Sequence, residues 1–355
     1  MDAFVHNAMA AHVRFGSGTI LALPDVLERL GCSRPFALTT PRQGAQLRDV
    51  LGPMAALLVG RFARAEMHTP VPVTLEALME VERAGADCVV AIGGGSAIGL
   101  AKAIALRTDL KQVAVPTTYA GSEMTPVLGQ TENSRKTTLS DPRIQPAAVI
   151  YDVDLTCTMP VATSAASGLN AMAHAVEGLY ARDGNPLTRI MAEESIRVLF
   201  AALPRIQADP VNRDARSDAL YGAWLAGMVL ASSGMAIHHK LCHTLGGTFA
   251  LPHAETHAVM LPYAVAYNAR HVPEAMSALA RSMRNADPVA ALFGLGRQLG
   301  LPASLGTLGM PEDGIDTATQ IALQSAYWNP RPLSEQPLRE LIARAWAGLP
   351  PENPC

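Results

Sequence analysis

The chain has 355 residues, which at about 150 residues per domain reads as two domains with material for two cores, and excludes a disulfide-stapled miniprotein. Hydrophobic residues make up 49% and charged residues 17%; the usual charged share is about 25%, so a packed globular chain is expected and intrinsic disorder is excluded. With 28 Lys plus Arg against 31 Asp plus Glu the formal charge is -3, and no run of basic residues offers the patch that nucleic acid binding needs.

The start, Met1-Asp2-Ala3-Phe4, has neither the positive nor the apolar stretch of a signal peptide. Five cysteines (Cys32, Cys88, Cys157, Cys242, Cys355) form no CxxC and are odd in number, which fits buried thiols in a reducing compartment. The expectation is a cytoplasmic protein. Short β-branched or apolar runs then alternate with helix-like stretches: 35–39 before 43–59, 88–92 before 96–106, then 112–115 and 147–151. That alternation predicts a parallel sheet covered by helices. After Met159-Pro160 helical periods dominate, over 162–181, 186–202, 213–235, 273–285 and 333–346. The sequence therefore reads as an α/β domain over 1–157 with a Rossmann-like sheet, followed by an all-α domain over 158–355. The uncharged stretch 220–237 is interrupted by Gly222, Gly227, Ser232, Ser233 and Gly234 and falls short of the ~20 apolar residues of a membrane span, so a buried helix is expected there.

Two turns in the first domain invite a ligand. Cys88-Val89-Val90-Ala91-Ile92 runs into Gly93-Gly94-Gly95-Ser96 and then a helix-like stretch, an order that presents bare backbone N–H groups and a helix N-terminus to a phosphate. The glycines at 93, 94, 95 and 99 do not match GxGxxG, and the Walker lysine pattern is absent. Val113-Ala114-Val115-Pro116 likewise ends in Thr117-Thr118-Tyr119-Ala120-Gly121-Ser122. Two polar turns at neighbouring strand ends are where a doubly wound sheet binds its ligand.

Six of the ten histidines fall between 174 and 257. Asn170 and His174 are four apart, as are His239 and His243, so each pair shares a helix face. Gly246-Gly247 is expected to end the second helix, with His253 following on a loop. Three or four imidazoles converging from two helices and a loop can hold a divalent metal, polarise a carbonyl oxygen or relay a proton.

With these motifs in view the chain resembles the iron-containing alcohol dehydrogenase family, and within it the maleylacetate reductases. The likeness runs from Val13-Arg14-Phe15-Gly16-Ser17-Gly18 through Gly93-Gly94-Gly95-Ser96, Pro116-Thr117-Thr118 and the histidine region to Asn329-Pro330-Arg331-Pro332. It implies a dehydroquinate synthase-like fold with a cofactor and a metal in the cleft between two domains. It places Gly94, Gly95 and Ser96 at the pyrophosphate and Thr117, Thr118 and Ser122 along the nicotinamide half. Three departures matter. Asn170 stands where metal-dependent members carry aspartate, so the positions Asn170, His174, His239 and His253 lack a carboxylate and no metal is expected. Gly99 stands where many relatives carry aspartate. After Leu38, Thr39-Thr40-Pro41-Arg42-Gln43 offers Thr40 but no carboxylate to the adenosine ribose, so both NADH and NADPH are expected to fit.

The activity the resemblance implies is NAD(P)H-dependent reduction of the carbon–carbon double bond of 2-maleylacetate to 3-oxoadipate. His243 and His253 are then the catalytic donors. His174, His239, Asn170, Lys240 and Arg331 would contact the small dicarboxylate substrate, the last because a guanidinium grips a carboxylate through two hydrogen bonds. Likeness to dimeric relatives implies a homodimer. The alternatives are an iron- or zinc-dependent alcohol or aldehyde oxidoreductase, a dehydroquinate-synthase-like lyase and a dinucleotide-binding sensor.

Overall fold

The computed structural model describes residues 4, 11–132, 135–324 and 327–352; Met1-Asp2-Ala3 and Cys355 lie outside them. The chain divides after Met159 into two compact units.

In the first unit, runs that are apolar on both faces become inner strands of a parallel sheet, as burial on both sides requires. Its strands are β1 (His12–Gly16), β2 (Pro35–Leu38), β3 (Gly60–Phe62), β4 (Cys88–Gly93) and β5 (Lys111–Pro116), while β6 (Val127–Glu132) and β7 (Arg135–Ser140) form a separate antiparallel hairpin and β8 (Ala148–Asp152) returns to the sheet. The six sheet strands lie in the order β1-β8-β5-β4-β2-β3, every pair parallel. Helices α1 (Leu23–Leu30), α2 (Pro41–Leu51), α3 (Val71–Arg83) and α4 (Gly95–Thr108) are interspersed among these strands. Leu23, Val26, Leu47, Leu51, Val90, Ile92, Val113, Val115 and Ile150 pack into one core. Strands β4 and β5 pair over their whole length, Gly93 opposite Pro116, so the turns that follow them leave the sheet at the same level.

The second unit holds α5 (Val161–Gly178), α6 (Pro186–Ala208), α7 (Arg213–Ser232), α8 (Ile237–Phe249), α9 (His253–Asn268), α10 (Pro273–Met283), α11 (Pro288–Gln298), α12 (Gly314–Gln324) and α13 (Glu335–Ala347). Helix α6 starts where the sequence places it because the Asn185 side chain accepts from Leu187 N and Thr188 N just ahead of Pro186, an N-cap with proline in the first turn. Helix α7 stops at Ser232, whose hydroxyl turns back to Met228 O at 2.7 Å. Two expectations fail around the histidines. Gly246 and Gly247 do not end α8; the apolar face continues through Leu245 and Phe249 into the core, and the chain leaves the helix at Ala250, in the left-handed region at φ 54°. His253 is not on a loop but opens α9, with Pro252 as its N-cap. Among the described residues no single helix is long and apolar enough to cross a membrane.

Helix α5 is the axis of this unit, with Ser164 to Gly178 buried without interruption. Small residues bring its neighbours close: a Cβ on Gly222 of α7 would lie 2.7 Å from Leu199 Cγ and Val198 Cγ2 of α6. Gly222→Val is expected to cost ~1–3 kcal/mol through overpacking, read as a lower urea midpoint with unchanged slope. An unaltered midpoint contradicts this crossing.

Candidate active site

The turn after β4 gives α4 an N-terminus with Gly94 as N-cap, no side-chain cap and no acidic residue in the first turn. Its first amides thus receive no cap from the N-cap residue, and they carry the positive end of the helix dipole. Thr117 N donates to Gly93 O at 3.0 Å, and a Cβ on Gly94 would lie 2.8 Å from Thr118 Oγ1. The two polar turns are thus in contact, and Gly94 permits it. Gly95 is exposed, Ser96, Thr117, Thr118 and Ser122 are half-buried, and the half-buried Thr40 precedes α2 as its N-cap. A Cβ on Gly99 would meet Thr69 Oγ1 at 2.5 Å. Thr69 fills that space here.

Beneath the second turn, Lys102 of α4 is fully buried. Its Nζ lies 2.6 Å from Ser122 O, 3.2 Å from Ser122 Oγ, 3.0 Å from Thr125 Oγ1 and 2.9 Å from Val127 O. Burial pulls its pKa down to about 7, against the opposing pull of the Glu123 carboxylate. Glu123, also buried, accepts from Tyr151 OH at 2.9 Å.

In the helical unit all six histidines of the 174–257 region meet. His174 of α5 stacks on His239 of α8, centroids 4.8 Å apart. His257 of α9 lies 4.9 Å from His239, 4.9 Å from His238 and 4.4 Å from His253. His243 and His253 are stacked at 6.2 Å. The cluster has a direction: His174, His238, His239 and His257 are buried, His253 is half-buried and His243 exposed. His238 Nε2 and His257 Nδ1 share a hydrogen bond of 3.0 Å, with Cys242 Sγ 3.8 Å from the same Nε2. Burial, then the neighbouring imidazoles, lowers the pKa of His174 and His257 well below 6.5, and burial brings His238 to about 3.

Glu177, one turn beyond His174 on α5, is fully buried and its Oε2 lies 2.7 Å from His239 Nδ1. The sequence reading missed it together with His238 and His257. Glu177 was nonetheless visible as the one carboxylate in the otherwise uncharged or neutral stretch that forms α5.

Not every expected residue joins the cluster. Lys240 adjoins His239 in the chain, but its Nζ lies 5.5 Å over the Tyr327 ring. Arg331 is committed elsewhere: its guanidinium covers the Tyr267 ring at 4.1 Å and donates to Tyr267 O at 3.2 Å. Tyr267 is on the order of 20 Å along α9 from His253 at 1.5 Å per residue. Arg331 there lines a groove of about 460 Å³ with Arg270, His271, Glu340, Arg344 and Glu352.

The positions that would hold a metal fit one poorly. Asn170 Oδ1, His174 Nδ1 and His239 Nε2 are buried without a hydrogen-bond partner among the described residues, but the set has no carboxylate, and the His174 and His239 rings are stacked rather than splayed around a common point. Among the described residues, the groups that bring three ligand atoms within 4.8 Å are His238, Cys242, His257 and Cys32, Asp87, Cys88. Neither contains His174, His239 or His253.

Residues 10–153 match the model of iron-containing alcohol dehydrogenase, and residues 164–346 that of the Fe-containing alcohol dehydrogenase family, C-terminal. The chain belongs to the iron-containing alcohol dehydrogenase family. Within the family it is 51% identical to a maleylacetate reductase of Sphingobium indicum over 98% of this chain and 99% of that one. A maleylacetate reductase of Rhizobium sp. strain MTP-10005 is 49% identical over 99% and 100%. The crystal structure of maleylacetate reductase from Agrobacterium tumefaciens superposes with a TM-score of 0.95 at 49% identity, covering 99% of this chain and 100% of that one. A solved 1,3-propanediol oxidoreductase shares the fold at a TM-score of 0.89 and 27% identity, over 98% and 100%. Membership makes the protein an oxidoreductase.

The buried histidines have a measurable consequence. His174, His238 and His257 take up protons in the unfolded chain near pH 6.5, but in the folded chain only at lower pH, near 3 for His238. Below pH 6.5 the unfolded state binds more protons, so stability falls as pH falls, by up to about 1.4 kcal/mol per pH unit for each histidine. The urea midpoint is expected to drop between pH 7 and pH 5, with a shallower drop in His257→Gln. Equal midpoints at the two pH values contradict the burial.

Proposed function

We propose that the protein is a maleylacetate reductase, transferring hydride from NADH or NADPH to the carbon–carbon double bond of 2-maleylacetate without a metal. The observation that carries this reading is the composition of the histidine cluster. The family's metal positions, Asn170, His174, His239 and His253, include no carboxylate, and the one buried carboxylate of the cluster, Glu177, is already filled by donors, which supports a metal-free site. Relatives at 49% to 51% identity that are named maleylacetate reductases support the substrate.

Hydride added to the alkene carbon β to the ketone pushes negative charge onto the ketone oxygen. A donor aimed at that oxygen contributes ~10²–10³ in rate. His243 and His253, the two accessible members of the cluster, serve as those donors, and one of them or a water then delivers a proton to carbon. The balance is one NAD(P)H and one proton consumed for each 3-oxoadipate formed. Asn170, His174 and His239 form the wall behind them. Lys240 is the better placed cation for a substrate carboxylate, since Arg331 is held by Tyr267. In the other unit the α4 amides at Gly94, Gly95 and Ser96 take the pyrophosphate, Thr117, Thr118 and Ser122 flank the nicotinamide half, and Thr40 lies toward the ribose.

EDTA-treated enzyme is expected to oxidise NADH and NADPH rapidly with maleylacetate and not with simple aldehydes or ketones. His243→Ala and His253→Ala are each expected to lower kcat by ~10²–10³ while leaving cofactor affinity in place. Activity restricted to carbonyl compounds, and only after iron or zinc is restored, makes the protein a metal-dependent alcohol oxidoreductase instead. Gly94→Ala, by displacing Thr118, is expected to weaken NADH binding about tenfold in a fluorescence titration, equivalent to 1.4 kcal/mol. Unchanged affinity removes this turn from the cofactor site.

A further inference from the structure

Helix α8 has no cap of its own: its N-cap is Ala236, and no side chain of the helix covers the first amides. The acceptors come from other elements. Glu177 Oε2 accepts from Ala236 N at 2.9 Å and His239 N at 3.4 Å, Glu177 Oε1 accepts from His238 N at 2.8 Å, and Asn329 Oδ1 takes Ile237 N at 3.3 Å. One carboxylate on α5 thus covers three of the four amides at the start of α8. Such a convergence of donors, at the positive end of a helix, holds a carboxylate in its ionised form despite full burial.

An ionised carboxylate only accepts hydrogen bonds. Glu177 Oε2, 2.7 Å from His239 Nδ1, therefore places a ring proton of His239 on Nδ1, and in the neutral imidazole Nε2 then carries the lone pair. That Nε2 is buried and, among the described residues, has no partner. A helix cap needs only the amides; the contact with the ring is additional.

We propose that Glu177 is a positioning residue for the reduction: it fixes His239 as the Nδ1–H tautomer, so that Nε2 is an acceptor, and it anchors the end of the helix that carries His239 and His243. The assignment rests on the reading of the cluster as the active site of the reductase. A lone pair at His239 repels the substrate carboxylates and the developing oxyanion, and so directs them to the donors His243 and His253. With the opposite tautomer, His239 offers a competing donor, and substrate binds with its charge at the wrong imidazole. Carboxylates that orient a metal-bound histidine in this way are worth ~10–100-fold in activity, and an effect of the same order is expected here.

The test uses full-length protein labelled with 15N-histidine, with His239 identified by the signals lost in His239→Asn. Long-range 1H–15N spectra of the wild type are expected to show a protonated Nδ1 and a bare Nε2 at His239. In Glu177→Gln that pattern is expected to change, with kcat down ~10–100-fold and the dissociation constant for NADH within about twofold of wild type. Glu177→Asp, which keeps the charge, is expected to retain the tautomer and recover part of kcat. A protonated Nε2 in active wild type, or a folded Glu177→Gln with unchanged tautomer and kcat, overturns the assignment. If Glu177→Gln does not fold, the wild-type spectrum and the Glu177→Asp pair decide it by the same criteria. Absence of maleylacetate turnover in the wild type instead overturns the functional reading, and with it the link to the reduction, whatever the tautomer.

Discussion

A carboxylate moved out of water into a protein interior carries a penalty of several kcal/mol unless donors surround it. Glu177 is surrounded: three backbone amides and one imidazole N–H converge on its two oxygens. Those donors all belong to the start of α8 and the residue before it, so the carboxylate joins two helices that have no other reason to share a polar contact. Around that join the remaining imidazoles take their places: His174 stacked against His239 from α5, His257 reaching both from α9, and His238 closing onto His257. Charge, helix end and ring orientation are satisfied by the same two oxygens, and removing them leaves each of the three without a counterpart.

The N-terminal unit solves a mirror-image problem with the opposite charge. Lys102 is an amine buried beneath a loop, surrounded by oxygens of Ser122, Thr125 and Val127. As with Glu177, backbone groups supply much of the compensation, from the short turn at Ser122 to the first residue of β6. In both units a buried ionisable group holds irregular or terminal backbone in one shape next to the residues assigned to ligand binding. The apolar cores of the sheet and of the helices give stability without this local definition.

This difference also explains what could be read from the sequence. The inner strands and the long helices follow from runs of Val, Ile, Ala and Leu, since burial on both faces or on one stripe leaves a periodic mark. The concentration of histidines was equally visible, and all six of that region meet in space. Helix ends were less legible. Gly246-Gly247 carries the local signature of a stop, but Leu245 and Phe249 have a core to fill and carry the helix past it; tertiary packing outweighed a local preference. Pairs at i, i+4 drew attention to Asn170, His174, His239 and His243; His253 and His257 are also four apart on α9 but were not read as a pair, because His253 was placed on a loop, and the bond of His257 to His238 joins two helices and has no periodic signature. Glu177 escaped for the same reason, because its partners lie some sixty positions downstream. Arg331 shows a different limit: a guanidinium in a Pro-rich segment suits a carboxylate, and the sequence does not reveal that it rests on the Tyr267 ring and carbonyl.

The Lys102 amine has a further consequence, for chemical labelling. The chain has four lysines, and Lys102, with a pKa near 7, is substantially neutral at neutral pH, yet fully buried. Its acylation by an amine-directed reagent requires the Ser122 to Val127 segment to lift away from α4, and because burial is what lowers the pKa, the opened amine is largely protonated again. The rate at which mass is added at that single position therefore reports the opening equilibrium of the segment multiplied by the reactivity of an ordinary lysine, and a ligand that closes the segment slows it.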